Sequence, residues 1–182
     1  MKKIFCMLAA FIFLTGCGET GELLNTPTKK VEMFLGNYQT LNSNVLEQLD
    51  DIIEKDMTFD DTQKETYRDL MKNHYKNLTY EIKDEIIDGD MATVTVEIEV
   101  TDYSKIMNEA EQYKTENKEQ FNDEAGEYNE TLFNDYRLGK LKEAEERVKY
   151  TIDFTLTKVN EDWELDELTD EQEAKIHGLY TY

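Results

Sequence analysis

Two histidines, two cysteines and 41 carboxylates bound the chemistry open to this 182-residue chain. His74 falls on the apolar stripe of a helical segment, the setting of a core or rim histidine. His177 lies near the end of the chain with no evident partner. Cys6 sits inside an N-terminal apolar run and Cys17 closes it, so the remainder has no thiol for a disulfide, a zinc–thiolate site or nucleophilic attack. Two histidines alone make a poor transition-metal site. Asp88-Gly89-Asp90 is too short for an EF-hand loop, and neither a phosphate-cradling glycine loop nor a GxSxG elbow occurs. No cofactor is expected. Twenty basic residues against 41 acidic ones give a net charge of -21, which repels nucleic acid and anionic headgroups. The charge suits solubility, or a basic or cationic partner, loosely held divalent cations included; the expected partner is a basic protein or small ligand.

The one covalent site that the spacing supports is Cys17. Met1-Lys2-Lys3 is a basic start, and Ile4–Leu14 is an uncharged apolar run of about eleven residues, short of the ~20 that cross a bilayer as a helix. That pattern is a secretory signal. It ends in Leu14-Thr15-Gly16-Cys17, which resembles the bacterial lipobox. The resemblance implies diacylglycerol on the Cys17 sulfur and cleavage before it. Residues 1–16 are then a signal peptide and 17–27 a short tether, and the domain, 28–182, stands on the extracytoplasmic face of the cell membrane. Two acyl chains anchor stably where one does not. Loss of Lys2 and Lys3 leaves 18 basic residues against 41 acidic, a net charge of -23.

The elements that would position any site follow from hydrophobic period. Thr26-Pro27 is a helix start. Val31, Phe34, Leu35, Tyr38, Leu41, Val45, Leu49, Ile52 and Ile53 recur at helical spacing, with Asn42-Ser43-Asn44 as a loosening point. A second helix, capped by Asp60 or Asp61, carries Tyr67, Leu70, Met71, His74 and Leu78, with Tyr75 at its edge. The period then drops to 2. Tyr80–Ile86 and Ala92–Val100 alternate around Asp88-Gly89-Asp90, a tight hairpin turn. Residues 104–148 return to a helical period, broken near Gly126. Strands at Tyr150–Leu156 and Trp163–Leu165 flank a turn at 159–162, and Thr169 caps a last short helix. Each strand is apolar on one face, so the fold class is α+β: a curved antiparallel sheet packed on N-terminal helices, with a long helical insertion between the strand pairs.

This order, with "NLTYEIKDEIIDGDMATVTVEIEVTDY" and the closing "YTIDFTLTKVNEDWELDEL", resembles small bacterial lipoproteins of the nuclear transport factor 2-like, or cystatin-like, superfamily; only the insertion departs from it. The resemblance implies a pocket between the first helix and the sheet, where related enzymes hold a carboxylate as general base. Asp84 and Asp102 then become candidates, with Tyr38 and Tyr80 as hydrogen-bond donors and His74 on the neighbouring helix. The competing reading puts Asp84 at a bulge facing water, since Ile86-Ile87 breaks the alternation, and makes Asp102 a strand terminator. Glu97, Glu99, Asp153, Glu164 and Asp166 share the outward face with threonines, as a solvated surface or a dock for a basic protein. Tyr113, Tyr128 and Tyr136 serve the insertion as contact or core residues. The expected role is binding rather than catalysis; the alternative is a carrier or enzyme using the pocket.

Overall fold

The computed structural model describes residues 24–55 and 57–181, so Cys17, the signal segment and most of the tether lie outside the described residues. Helix α1 (Pro27–Gln39) starts as its sequence dictates: the Thr26 side chain accepts a hydrogen bond from the Lys29 amide at 3.2 Å, and Pro27 fills the first turn. It then stops, and α2 (Ser43–Lys55) begins afresh. The break is complete because Leu41 adopts a left-handed φ of 54°. The amides of Leu41 and Asn42 reach back to the carbonyls of Tyr38 and Asn37, which is a Schellman ending. The apolar stripe runs through this corner without interruption, so periodicity alone reads as one helix.

Helix α3 (Asp61–Lys76) opens with a capping box between Asp60 and Gln63. Strands β1 (Thr79–Asp88), β2 (Met91–Thr101), β3 (Arg147–Val159) and β4 (Asp162–Leu165) form one open antiparallel sheet in the order β1-β2-β3-β4. The inward residues Val94, Val96, Ile98, Val100, Phe154 and Leu156 are wholly buried, together with Val31 and Leu35 of α1. Phe34 of α1 meets Phe154 edge-on, ring centroids 5.8 Å apart. Apolar side chains thus pack between α1 and the sheet where the resemblance implied a concave pocket.

The bulge falls between Ile82 and Asp84. Ile82 pairs with Val96, but Asp84 pairs with Thr95, so the strand changes face there. Asp84 is exposed, and the inward placement is corrected in favour of water. The same slip brings Glu85 opposite Val94, on the helix side. Its Oε2 accepts from the Thr28 amide at 2.9 Å and the Thr28 hydroxyl at 2.7 Å, a carboxylate at a helix N-terminus.

Between β2 and β3 stand α4 (Tyr103–Glu116), a 3-10 turn (Lys118–Phe121) and α5 (Glu130–Lys142). They share a small core of Ala110, Phe121 and Phe133, against which Tyr113 and Tyr136 stack at 4.8 Å; Tyr128 is exposed. Buried amides tie this unit to the rest. The Gln63 side chain donates to the Thr131 carbonyl and to Asp135, and Asn134 donates to the Thr58 carbonyl.

The final helix, α6 (Asp170–Ile176), also ends in a Schellman turn, with Gly178 at φ 69°. There the chain touches the end of β2: the Gly178 carbonyl accepts from the Ser104 amide at 2.8 Å. A Cβ on Gly178 would collide with the Thr101 carbonyl oxygen and lie 2.9 Å from Cε1 of His74. Left-handed strain and backbone collision act together here. Gly178→Ala should therefore cost more than about 2 kcal/mol in urea unfolding, whereas Gly89→Ala, with open space around it, should cost less.

Candidate ligand cleft

Four-residue spacing along α3 aligns Glu65, Asp69, Asn73 and Asn77 in one row. This row lines one wall of a cleft of about 420 Å³, within the size range of small-molecule sites. Leu141, Lys142 and Ala144, at the end of α5, line the other side; Thr101, Tyr103 and His74 complete it. Glu65 and Asp69, one turn apart, repel each other, and neither forms a salt bridge among the described residues.

His74 is buried, with 2 % of its surface exposed. Its Nε2 lies 2.9 Å from the Ile176 carbonyl oxygen. A carbonyl can only accept, so Nε2 carries the proton and Nδ1 the lone pair. Nδ1 is buried and has no hydrogen-bond partner among the described residues. The ring packs against Tyr103 at 4.9 Å. Burial pushes the imidazole pKa down to about 4, the nearby charges of His177 and Arg147 adding to it and the Ile176 bond opposing. At neutral pH His74 is an uncharged acceptor.

A second cleft, of about 310 Å³, is lined by α2 residues together with Tyr38, Tyr75, Glu173 and His177. The Tyr75 hydroxyl stands 3.0 Å from His177 Nδ1, so the expectation of an unpartnered His177 is corrected. Burial brings His177 down to about 4. Burial likewise raises Tyr38, to about 12, and Tyr75, with Glu173 adding to both. Tyr38 packs on Tyr75 at 5.0 Å.

The residues that the sequence nominated are not brought together. His74 lies in one cleft and Tyr38 in the other. Tyr80 is half-buried on the edge strand, near Glu32 and Lys29. Asp84 accepts from the Glu85 amide at the bulge. Asp102 caps α4, taking the Lys105 amide and the Ser104 hydroxyl on one oxygen. The outward sheet face is less acidic than its strands suggested. Lys149 and Lys83 reach Glu97 at 2.9 and 3.5 Å, and Arg147 reaches Glu99 at 3.0 Å. The hydrogen bond from Lys149 holds the Glu97 carboxyl below its usual range. Thr95 donates to Asp153, and Thr157 to Asp166. The row 65–69–73–77 was visible as spacing, but reads equally as a solvated helix face until α5 is laid beside it.

No protein-family model, curated protein or solved structure matches this chain. What it does must be read from its own residues.

The two imidazoles set a pH dependence. An unfolded histidine titrates near 6.5 and these folded ones near 4, so between those values the unfolded chain binds more protons. Their contribution is fully present above about pH 6.5 and is lost as pH falls through 4, on the order of 1 kcal/mol per pH unit for each ring. Urea unfolding at pH 7.5, 6 and 5 should show this decline, and His74→Gln with His177→Gln should flatten it. An undiminished slope in the double variant would contradict the assignment.

Proposed function

We propose that this chain is an extracytoplasmic lipoprotein, held to the membrane through lipid on Cys17, whose domain binds a ligand without transforming it. The Leu14-Thr15-Gly16-Cys17 sequence behind a short apolar run supports the anchor. No helix among the described residues is long and apolar enough to cross a membrane. Binding is favoured over catalysis because burial leaves both imidazoles weak bases, well below the near-neutral range suited to proton transfer, and Asp84 and Asp102 are engaged elsewhere.

The ligand that fits the α3–α5 cleft is a small molecule carrying N–H donors and positive charge, an amine or guanidinium. The unpaired Nδ1 of His74 carries this reading, because a buried acceptor without a partner costs free energy that a donor would recover; with less than 1 Å² of that atom open, the donor reaches it only as the cleft wall gives way. Glu65 and Asp69 supply the attraction, and Asn73 and Asn77 supply further polar contacts. The sheet face offers a basic protein less, since Lys83, Arg147 and Lys149 already serve its carboxylates.

Titration calorimetry with putrescine and arginine amide at low salt tests the cleft. Saturable binding is expected, and Glu65→Gln with Asp69→Asn should weaken it about tenfold or more, some 1.4 kcal/mol. Absence of saturable binding by either compound, or equal binding by the double variant, would refute it. For the anchor, native chain should incorporate labelled palmitate and sediment with membranes, and Cys17→Ser should do neither.

A further inference from the structure

The register places both hairpin tips at one end of the sheet. Asp88 pairs with Met91, Met91 with Thr157 and Val159 with Asp162, while the Lys158 amide donates to the Asp90 carbonyl at 2.8 Å. The start of the described chain is fastened to the same end. Asn25 donates to the Glu161 carbonyl at 2.8 Å and accepts from the Trp163 amide at 2.9 Å, and Thr28 is held by Glu85.

That end displays apolar side chains to water. Met91 is 62 % exposed, Ile86 60 %, Ile87 52 %, Leu24 51 % and Val159 40 %. Past the bulge in β1, Ile86 faces outward, opposite Thr93, and Ile87 lies opposite Ala92 on the other side of the sheet. Hairpin tips ordinarily carry polar turn residues. These carry Asp88, Gly89, Asp90, Asn160 and Glu161 at the turns, with the apolar groups immediately behind them.

We propose that these two tips, with Leu24, rest on the membrane surface as a second, apolar contact beside the lipid. This inference rests on the anchoring of Cys17 proposed above. Leu24 lies only seven positions beyond Cys17, a reach of at most about 25 Å, whereas the eleven residues of β2 span about 36 Å. The tether therefore delivers this end of the domain, and not the opposite one, to the interface. There a bilayer covers apolar side chains that nothing else in the fold covers. Charge does not drive the contact. Asp88, Asp90, Glu161 and Asp162 occupy the tips, and Lys158, the nearest cation on β3, is paired with Glu161 at 2.9 Å. The contact accordingly favours zwitterionic lipid over anionic lipid.

Acylation of Cys17 leaves the mature chain without another thiol, so a probe on one introduced cysteine reports a single place. Lipid-bearing protein is prepared with Met91→Cys at a tip or with Glu119→Cys, exposed on the 3-10 turn of the insertion. Each is labelled with a fluorophore and bound to phosphatidylcholine vesicles. Quenching by aqueous iodide should fall at least threefold at position 91 on vesicle binding and stay unchanged at 119. Replacing a third of the lipid with phosphatidylglycerol should reduce the shielding at 91. Sedimenting protein with equal quenching at both positions would overturn the tip contact while leaving the anchor intact. Stronger shielding on anionic lipid would overturn the apolar basis of the contact. Acylated protein that does not sediment with vesicles would overturn both.

Discussion

The docking of Ile176–Gly178 onto α3 and the end of β2 is the constraint on which the candidate site depends. Three contacts converge there: the Ile176 carbonyl on His74, the His177 ring on Tyr75, and the Gly178 carbonyl on the Ser104 amide. Together they join α3, α4 and α6, the two histidine contacts across 102 positions of sequence. Because a carbonyl oxygen can only accept, the contact at Ile176 fixes the His74 tautomer and leaves Nδ1 as the buried atom without a partner. Gly178 makes this approach possible, since its left-handed backbone lets the chain lie against Thr101 where a Cβ would strike the carbonyl.

The molecule is polar along its sheet. One end gathers the start of α1 and both hairpin tips; the other gathers the junctions where α3 enters β1, where β2 leaves for α4, and where α5 returns to β3. Both α3 and α5 contribute walls to the cleft near this second end. The insertion therefore has a structural office: its last helix, fixed by the buried amides of Gln63 and Asn134, forms the wall opposite the row on α3. With the tether at the opposite end, an anchored domain would present the cleft away from the bilayer.

Much of the architecture was legible in the sequence. The inward valines and isoleucines of β2 and the aromatic and aliphatic positions of β3 alternate without interruption, and the packing follows that pattern residue by residue. Thr26, Asp60 and Thr169 cap helices as their types predict. The misreadings share a cause: the deciding interaction is distant in sequence or is a backbone event that side-chain pattern does not record. Leu41 turns the chain with a left-handed φ although leucine gives no such signal. Lys83 shifts the register of β1, which moves Asp84 outward and Glu85 onto α1. His177 finds Tyr75 across 102 positions. Gln63 and Asn134 belong to no apolar stripe yet are 2 % and 0 % exposed, because their partners belong to other segments. The cleft was illegible for the same reason, as its two walls meet only after the insertion folds back.

Long-range proton–nitrogen correlation NMR of the His74 ring across pH 7.5 to 4.5 reads its tautomer and protonation directly. A proton on Nε2 and a bare Nδ1 are expected throughout most of this range, with protonation only near the bottom of it, and the Nδ1 resonance should move when an amine occupies the cleft. A ring that carries its proton on Nδ1, or that takes up a second proton near pH 6.5, would contradict this assignment.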